Sequence, residues 1–135
     1  MKINYPALFG IAVATFLALD AIWLGLIAKN LYATELKGLM TNNVKWAAAG
    51  LFYLIFVAGL IYFVIAPTLK SGSMNQLTLA GGLFGLVTYA TYDLTNYATL
   101  KGFPLKIVVL DMIWGTALSA AVATISYVVY NNLVS

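Results

Sequence analysis

The chain has 135 residues, of which 63% are apolar and only 8% charged, whereas a soluble domain is nearer half apolar and a quarter charged. That balance excludes an ordinary soluble domain, and it excludes disorder, which needs low hydrophobicity and high charge. The net charge of +3 comes from scattered lysines with no arginine, so no basic stripe forms and nucleic acid is not an expected partner.

An integral membrane protein is therefore expected, as one all-α domain over residues 1–135. The sequence contains neither cysteine nor histidine. Disulfides, thiolate chemistry and imidazole-based metal or haem sites are thus absent from the options. A spanning helix needs about 20 mostly apolar residues. Four stretches qualify: 5–28, 46–66, 77–100 and 104–130. They predict four transmembrane helices in a compact bundle. The first span has an acid inside its apolar run and no small-residue cleavage site, so it is expected to be a retained helix. Between spans one and two, Tyr32, Leu36, Leu39 and Met40 fall on one helical face. This pattern predicts a short cytoplasmic amphipathic segment at the interface; a plain polar loop is the alternative. Pro67 is expected to close span two, with Lys70 to Asn75 as a loop. Lys101-Gly-Phe-Pro104 reads as a tight turn, with Pro104 in the first turn of span four.

Span two carries no charge between Trp46 and Ala66; its polar groups are Tyr53 and Tyr62, and it is expected to be the most lipid-exposed helix. Gly81, Gly82 and Gly85 on span three, and Gly115, Ser119 and Ala123 on span four, suit close helix approach. Thr88, Thr91, Thr95 and Thr99 are expected to bond their own backbone.

With four spans, Lys2 and Lys70 share one side with the termini, and Lys29, Lys37, Lys45, Lys101 and Lys106 occupy the other. The positive-inside rule places the five-lysine side in the cytoplasm. Both termini are then outside, in the periplasm.

Of the four acids, Glu35 lies in the cytoplasmic segment, and Asp20, Asp93 and Asp111 lie inside spans. Counting from the cytoplasmic helix ends, all three sit roughly 10–12 Å deep. Three charged aspartates facing lipid independently would cost roughly 8–10 kcal/mol. They are expected to converge on one polar site, where crowded carboxylates cannot all ionise cheaply and titrate as a set. Asp-x-x-Trp occurs twice, as Asp20/Trp23 and Asp111/Trp114, and Asp-x-x-Asn occurs once, as Asp93/Asn96. A spacing of three puts each pair on one face. Tyr89 and Tyr97, four residues to either side, fall on the face of Asp93 as well. Leu19-Asp-Ala-Ile-Trp23 and Leu110-Asp-Met-Ile-Trp114 look alike. They run in opposite directions at one depth, which excludes an inverted repeat about the midplane.

Three readings of this site compete. Asp20, Asp93, Asp111, Asn96, Trp23, Trp114, Tyr89 and Tyr97 form a binding site for a small hydrophobic cation or lipid-like molecule, since aromatic faces and carboxylates attract organic cations. The aspartates would then serve as counter-charges and proton carriers, and a homodimer would add enclosed volume. Alternatively, Asp20, Asp93 and Asp111, with Asn96, supply oxygens to magnesium or manganese in a membrane enzyme acting on a lipid or isoprenoid headgroup. No catalytic residue is specified by the pattern, and no Asp-x-x-Asp spacing or phosphate-gripping arginine is present. The third reading is structural: carboxyls, protonated or paired with snorkelling lysines, glue the helices or an accessory subunit together. An intramembrane acid favours function by default.

The strings Asp20-Ala-Ile-Trp-Leu-Gly25, Tyr89-Ala-Thr-Tyr-Asp-Leu-Thr-Asn-Tyr-Ala-Thr-Leu100 and Asp111-Met-Ile-Trp-Gly115 resemble the bacterial membrane proteins of domain-of-unknown-function family 2177. Tyr-Asp-Leu-Thr-Asn is the most specific part. The resemblance covers nearly the whole chain. It implies a small multi-span protein of the bacterial inner membrane and implies no activity.

Overall fold

The structure, a computed structural model, describes residues 2–134, and all regular secondary structure among them is helical. Helix α1 covers Tyr5–Ile22 and runs on into a π-helical turn, Trp23–Ile27. The short helix α2 is Lys29–Glu35. Helix α3, Trp46–Leu60, continues through a second π turn, Ile61–Ile65, into α4, Ala66–Ser71. Helices α5, Met74–Thr99, and α6, Leu105–Leu133, complete the fold.

Three of these stretches are long and apolar enough to cross a membrane: Tyr5–Ile27, Trp46–Ser71 and Leu105–Leu133. Helix α5 has 26 residues, ample length to span, but its threonines, asparagines and tyrosines dilute its apolar character. Pro67 does not close the second span. The π turn just before it loosens the backbone where a proline removes a donor, and the helix runs on to Ser71. Only Gly72 and Ser73 separate α4 from α5, and the Ser73 side chain caps α5 by accepting from the Gln76 N–H at 3.2 Å. Pro104 stands one position before α6, as its N-cap residue. Gly102 has φ +75°, a conformation that favours glycine in the tight turn before it.

Helix α6 is the centre of the packing, with α5 along one side and α1 along another. The small residues do what their spacing suggests. Gly85 lies against Gly115 and Ser119, and Gly81 against Ala123, so a methyl group at Gly85 would collide with the α6 backbone. Thr88, Thr91, Thr95 and Thr99 each donate to the carbonyl four residues earlier. Helix α3 packs on α1, and its π continuation touches α5 and α6. Its first two turns, from Trp46 to Phe52, are mostly exposed.

Two apolar clusters result. The larger contains Leu8, Phe16, Phe56, Leu60, Leu118 and Tyr130. At its far end, Tyr130 Oη accepts the Asn4 N–H at 2.7 Å and ties the start of α1 to the end of α6. The smaller joins Ala28 and Tyr32 to Phe103, Ile107 and Val108. The 29–44 segment therefore does not offer one continuous interfacial face. Tyr32 is buried against α6, whereas Leu39 and Met40 are exposed. The helix stops at Glu35 because residues 36–39 form turns, with Gly38 at φ +91°.

Candidate functional site

The intramembrane acids lie between the two apolar clusters, where α1, α2, α3, α5 and α6 come together. Asp20, one turn before the π turn of α1, is 7% exposed. Both of its oxygens receive donors from other helices. Tyr53 Oη on α3 donates to Oδ2 at 2.9 Å, and Trp114 Nε1 on α6 donates to Oδ1 at 3.2 Å. Asp111 on α6 accepts from Tyr32 Oη on α2 at 2.7 Å. Tyr32 in turn accepts from Trp23 Nε1 at 3.1 Å.

The two Leu-Asp-x-Ile-Trp strings thus meet face to face. Trp23 and Trp114 stack with ring centroids 4.6 Å apart and planes 8° apart. The tryptophan of the second string donates directly to the aspartate of the first. The tryptophan of the first reaches the aspartate of the second through Tyr32. This is a local two-fold arrangement across antiparallel helices, with α2 supplying the one group that breaks the symmetry. A stacked pair contributes about 0.5–1.5 kcal/mol beyond its buried area, and the hydrogen bonds to carboxylate about 1.5–3 kcal/mol each. Burial pushes the Tyr32 phenol well above its ordinary range, and Asp111 beside it adds to this against the opposing Trp23 N–H. Tyr32 therefore remains a hydrogen-bond donor at physiological pH.

Asp93 on α5 is completely buried, at 0% exposure. Its carboxyl lies within hydrogen-bonding reach of Asp111, and neither oxygen receives a donor among the described residues. Tyr89, one turn earlier on α5, packs its ring onto Gly115, where any side chain would overlap it. Its phenol is near Asp20, Asp111, Tyr53 and Tyr32.

A cavity of about 160 Å³ opens at this cluster, lined by Asp20, Trp23, Tyr53, Tyr89, Asp111 and Trp114, with Leu24, Ala49 and Phe52 at its edge. It adjoins a cleft of about 610 Å³ that shares Leu24, Ala49, Phe52, Tyr53, Tyr89 and Asp111 and extends to Ala48, Thr88 and Tyr92. The cleft exists because the first turns of α3 stand off from α5; the two helices meet by ring contact only further along, at Phe56 with Phe84 and Tyr89.

The family model described as a predicted membrane protein, domain-of-unknown-function family 2177, matches residues 5–128. The chain belongs to this family. No curated protein and no solved structure matches it. The matched range contains every acid in the site, in line with the Tyr-Asp-Leu-Thr-Asn resemblance.

Of the residues singled out in this family member's sequence, the structure brings together Asp20, Trp23, Tyr89, Asp93, Asp111 and Trp114. It does not bring Asn96 or Tyr97 to the aspartates. Asn96 lies beside Tyr92 on its own helix, and Tyr97 is 47% exposed. Among the described residues no group of three or more acidic side chains is placed to hold a metal ion. Among the described residues the one ion pair joins Lys106 to Glu35 at 3.7 Å, and no lysine among them is paired with a site aspartate. Sequence reasoning did not assign Tyr32, Tyr53 or Tyr92 to the site. The one available signal was a tyrosine at the predicted depth on an otherwise uncharged span, which fits Tyr53.

Proposed function

We propose that this protein crosses the bacterial inner membrane four times, with both termini in the periplasm, and binds a small hydrophobic cation or lipid-like molecule at its aspartate and aromatic site, as a transporter or membrane-embedded binding protein. One observation carries the reading. A small carboxylate and aromatic chamber adjoins a larger, mostly apolar cleft between α3 and α5. The chamber suits a cationic head, which ring faces and Asp20 attract, and the cleft suits the attached apolar group. Counting α5 as the fourth span is supported by its length and by its burial of Asp93 against α6.

The test is thermal unfolding in neutral detergent with dodecyltrimethylammonium, magnesium or manganese added separately. A ligand at 100 times its Kd stabilises by about 2.7 kcal/mol. The expected result is stabilisation by the ammonium amphiphile, reduced in Asp20→Asn and Asp111→Asn. Stabilisation by the metals alone would transfer the site to the metal-dependent enzyme reading. Indifference to all three would leave the aspartates a structural role.

A further inference from the structure

The three aspartates are not equivalent. Asp20 has a donor on each oxygen, from Tyr53 and Trp114, so its hydrogen-bonding capacity is engaged by fixed partners. Asp93 has no donor on either oxygen among the described residues and is wholly buried. Its carboxyl neighbour is Asp111. Two carboxylates in contact away from water cannot both carry charge, and a buried charge left without donors is the least tolerable arrangement of all. One proton between Asp93 and Asp111 resolves both problems at once, because it gives Asp93 the hydrogen bond that no other group supplies.

Among the described residues no other group donates to Asp93; Tyr89, on the same helix, has its phenol near Asp111 but reaches neither Asp93 oxygen. Tyr32, from α2, is committed to Asp111. Tyr92, from α5, lies beside Asn96 and donates to neither Asp93 oxygen. Asp20, from α1, adds negative charge near Asp111. Among the described residues no lysine is paired with either carboxyl, and Lys106 pairs with Glu35 instead. Asp111 lines both the chamber and the cleft, whereas Asp93 lines neither. A molecule entering by the cleft therefore meets Asp111 first, with Asp93 behind it.

We propose that Asp93 and Asp111 share one proton in the empty site and that a cation binding beside Asp111 replaces it. The exchange balances charge: one positive charge enters beside Asp111, one proton leaves by way of Asp111, and the net charge of the site is unchanged. Asp20 keeps its two donors throughout and serves as the fixed anchor. This assignment rests on the cation-binding reading above and gives that binding an obligatory proton count.

The experiment uses the full chain in liposomes of neutral lipid, with infrared difference spectroscopy and a pH-indicating dye in weak buffer. At neutral pH the wild type is expected to show a carboxylic-acid C=O stretching band that shifts in heavy water. The band is absent in Asp93→Asn, whose carboxamide takes over the donor's part, and retained in Asp20→Asn. Absence of the band in the wild type overturns the proposal without reference to any ligand. Adding dodecyltrimethylammonium is expected to bleach the band and release one proton per cation bound, with affinity rising about tenfold per pH unit while the pair still holds its proton. Binding that leaves the band intact and is independent of pH overturns the exchange while the cation-binding reading stands. Failure of the wild type to bind the cation overturns both. Should Asp93→Asn not fold, the wild-type band and proton count decide the matter by themselves.

Discussion

Tyr53 and Trp114 hold opposite oxygens of one carboxylate, so their removal asks the same question of Asp20 from two sides. Replacing Tyr53 by phenylalanine keeps the ring, including its edge contact with Phe16 at 5.0 Å, and deletes only the hydroxyl donated to Oδ2. In water-soluble interiors a stranded buried acceptor costs about 1–3 kcal/mol. Within membranes, side-chain hydrogen bonds average nearer 0.6 kcal/mol, because the unfolded reference also finds partners. Asp20 retains Trp114 and borders a cavity that can admit water, so the expected loss for Tyr53→Phe is about 1 kcal/mol, read by equilibrium unfolding in a detergent mixture. Trp114→Phe should cost more, since it removes both the other donor and the larger part of the stack on Trp23. A Tyr53→Phe variant as costly as Trp114→Phe would mean that the hydroxyl organises the chamber as a whole.

At the level of elements, α2 matters more than its seven residues suggest, because it carries Tyr32 across the inner end of the site. The sequence pattern locates α2 but does not reveal this role. Periodicity registers the apolar ring of a tyrosine and so groups Tyr32 with Leu36, Leu39 and Met40; where its hydroxyl points depends on how α2 docks on α6. The intramembrane acids were legible for the opposite reason: a charge in hydrocarbon is so costly that its position alone demands a partner. Which partner was not legible. Asn96 and Tyr97 share a helical face with Asp93 by spacing, yet the rotation of α5 against α6 turns Asp93 inward and leaves Tyr97 outside. The small-residue stripes of α5 and α6 announced their contact, whereas the π turn that carries the chain past Pro67 left no local mark in the pattern. Tyr32 also makes a pH prediction. Its phenol is held above the ordinary range when folded, so its contribution to stability is complete below about pH 10, the unfolded value. Above that, the unfolded tyrosine releases a proton that the folded one keeps, and stability falls by about 1.4 kcal/mol per pH unit from this group. Melting curves taken from pH 8 to 11 should therefore decline less steeply in Tyr32→Phe, by one proton's worth. Parallel declines would show that Tyr32 titrates normally and is not buried under α2.

For the whole molecule, the decisive variable is which end faces the cytoplasm. Lys29, Lys37, Lys45, Lys101 and Lys106 gather at the end where α2 caps the site, while Lys2 and Lys70 lie at the other end. If the lysine bias sets orientation, the cleft opens into the inner leaflet and the apolar route to Asp111 begins among cytoplasmic-side lipids. Alkaline phosphatase, active only outside the cytoplasm, reports this directly when fused at successive points. Fusions after Leu133 and within 72–73 should be active, and fusions within 41–45 and after Lys101 should be inactive. The alternation also tests α5, because a fusion at 72–73 and one after Lys101 differ in side only if α5 crosses. Equal activity at those two points would make α5 a buried, non-spanning helix and leave three crossings, the number that apolar character alone supports. The termini would then lie on opposite sides, and Asp93 would reach Asp111 from an element that dips into the membrane. Opposite activity in the reverse sense would keep the four-span fold but turn the cleft toward the outer leaflet. The same chamber would then draw its cation from the periplasmic side, and the proton displaced from the carboxyl pair would be released there.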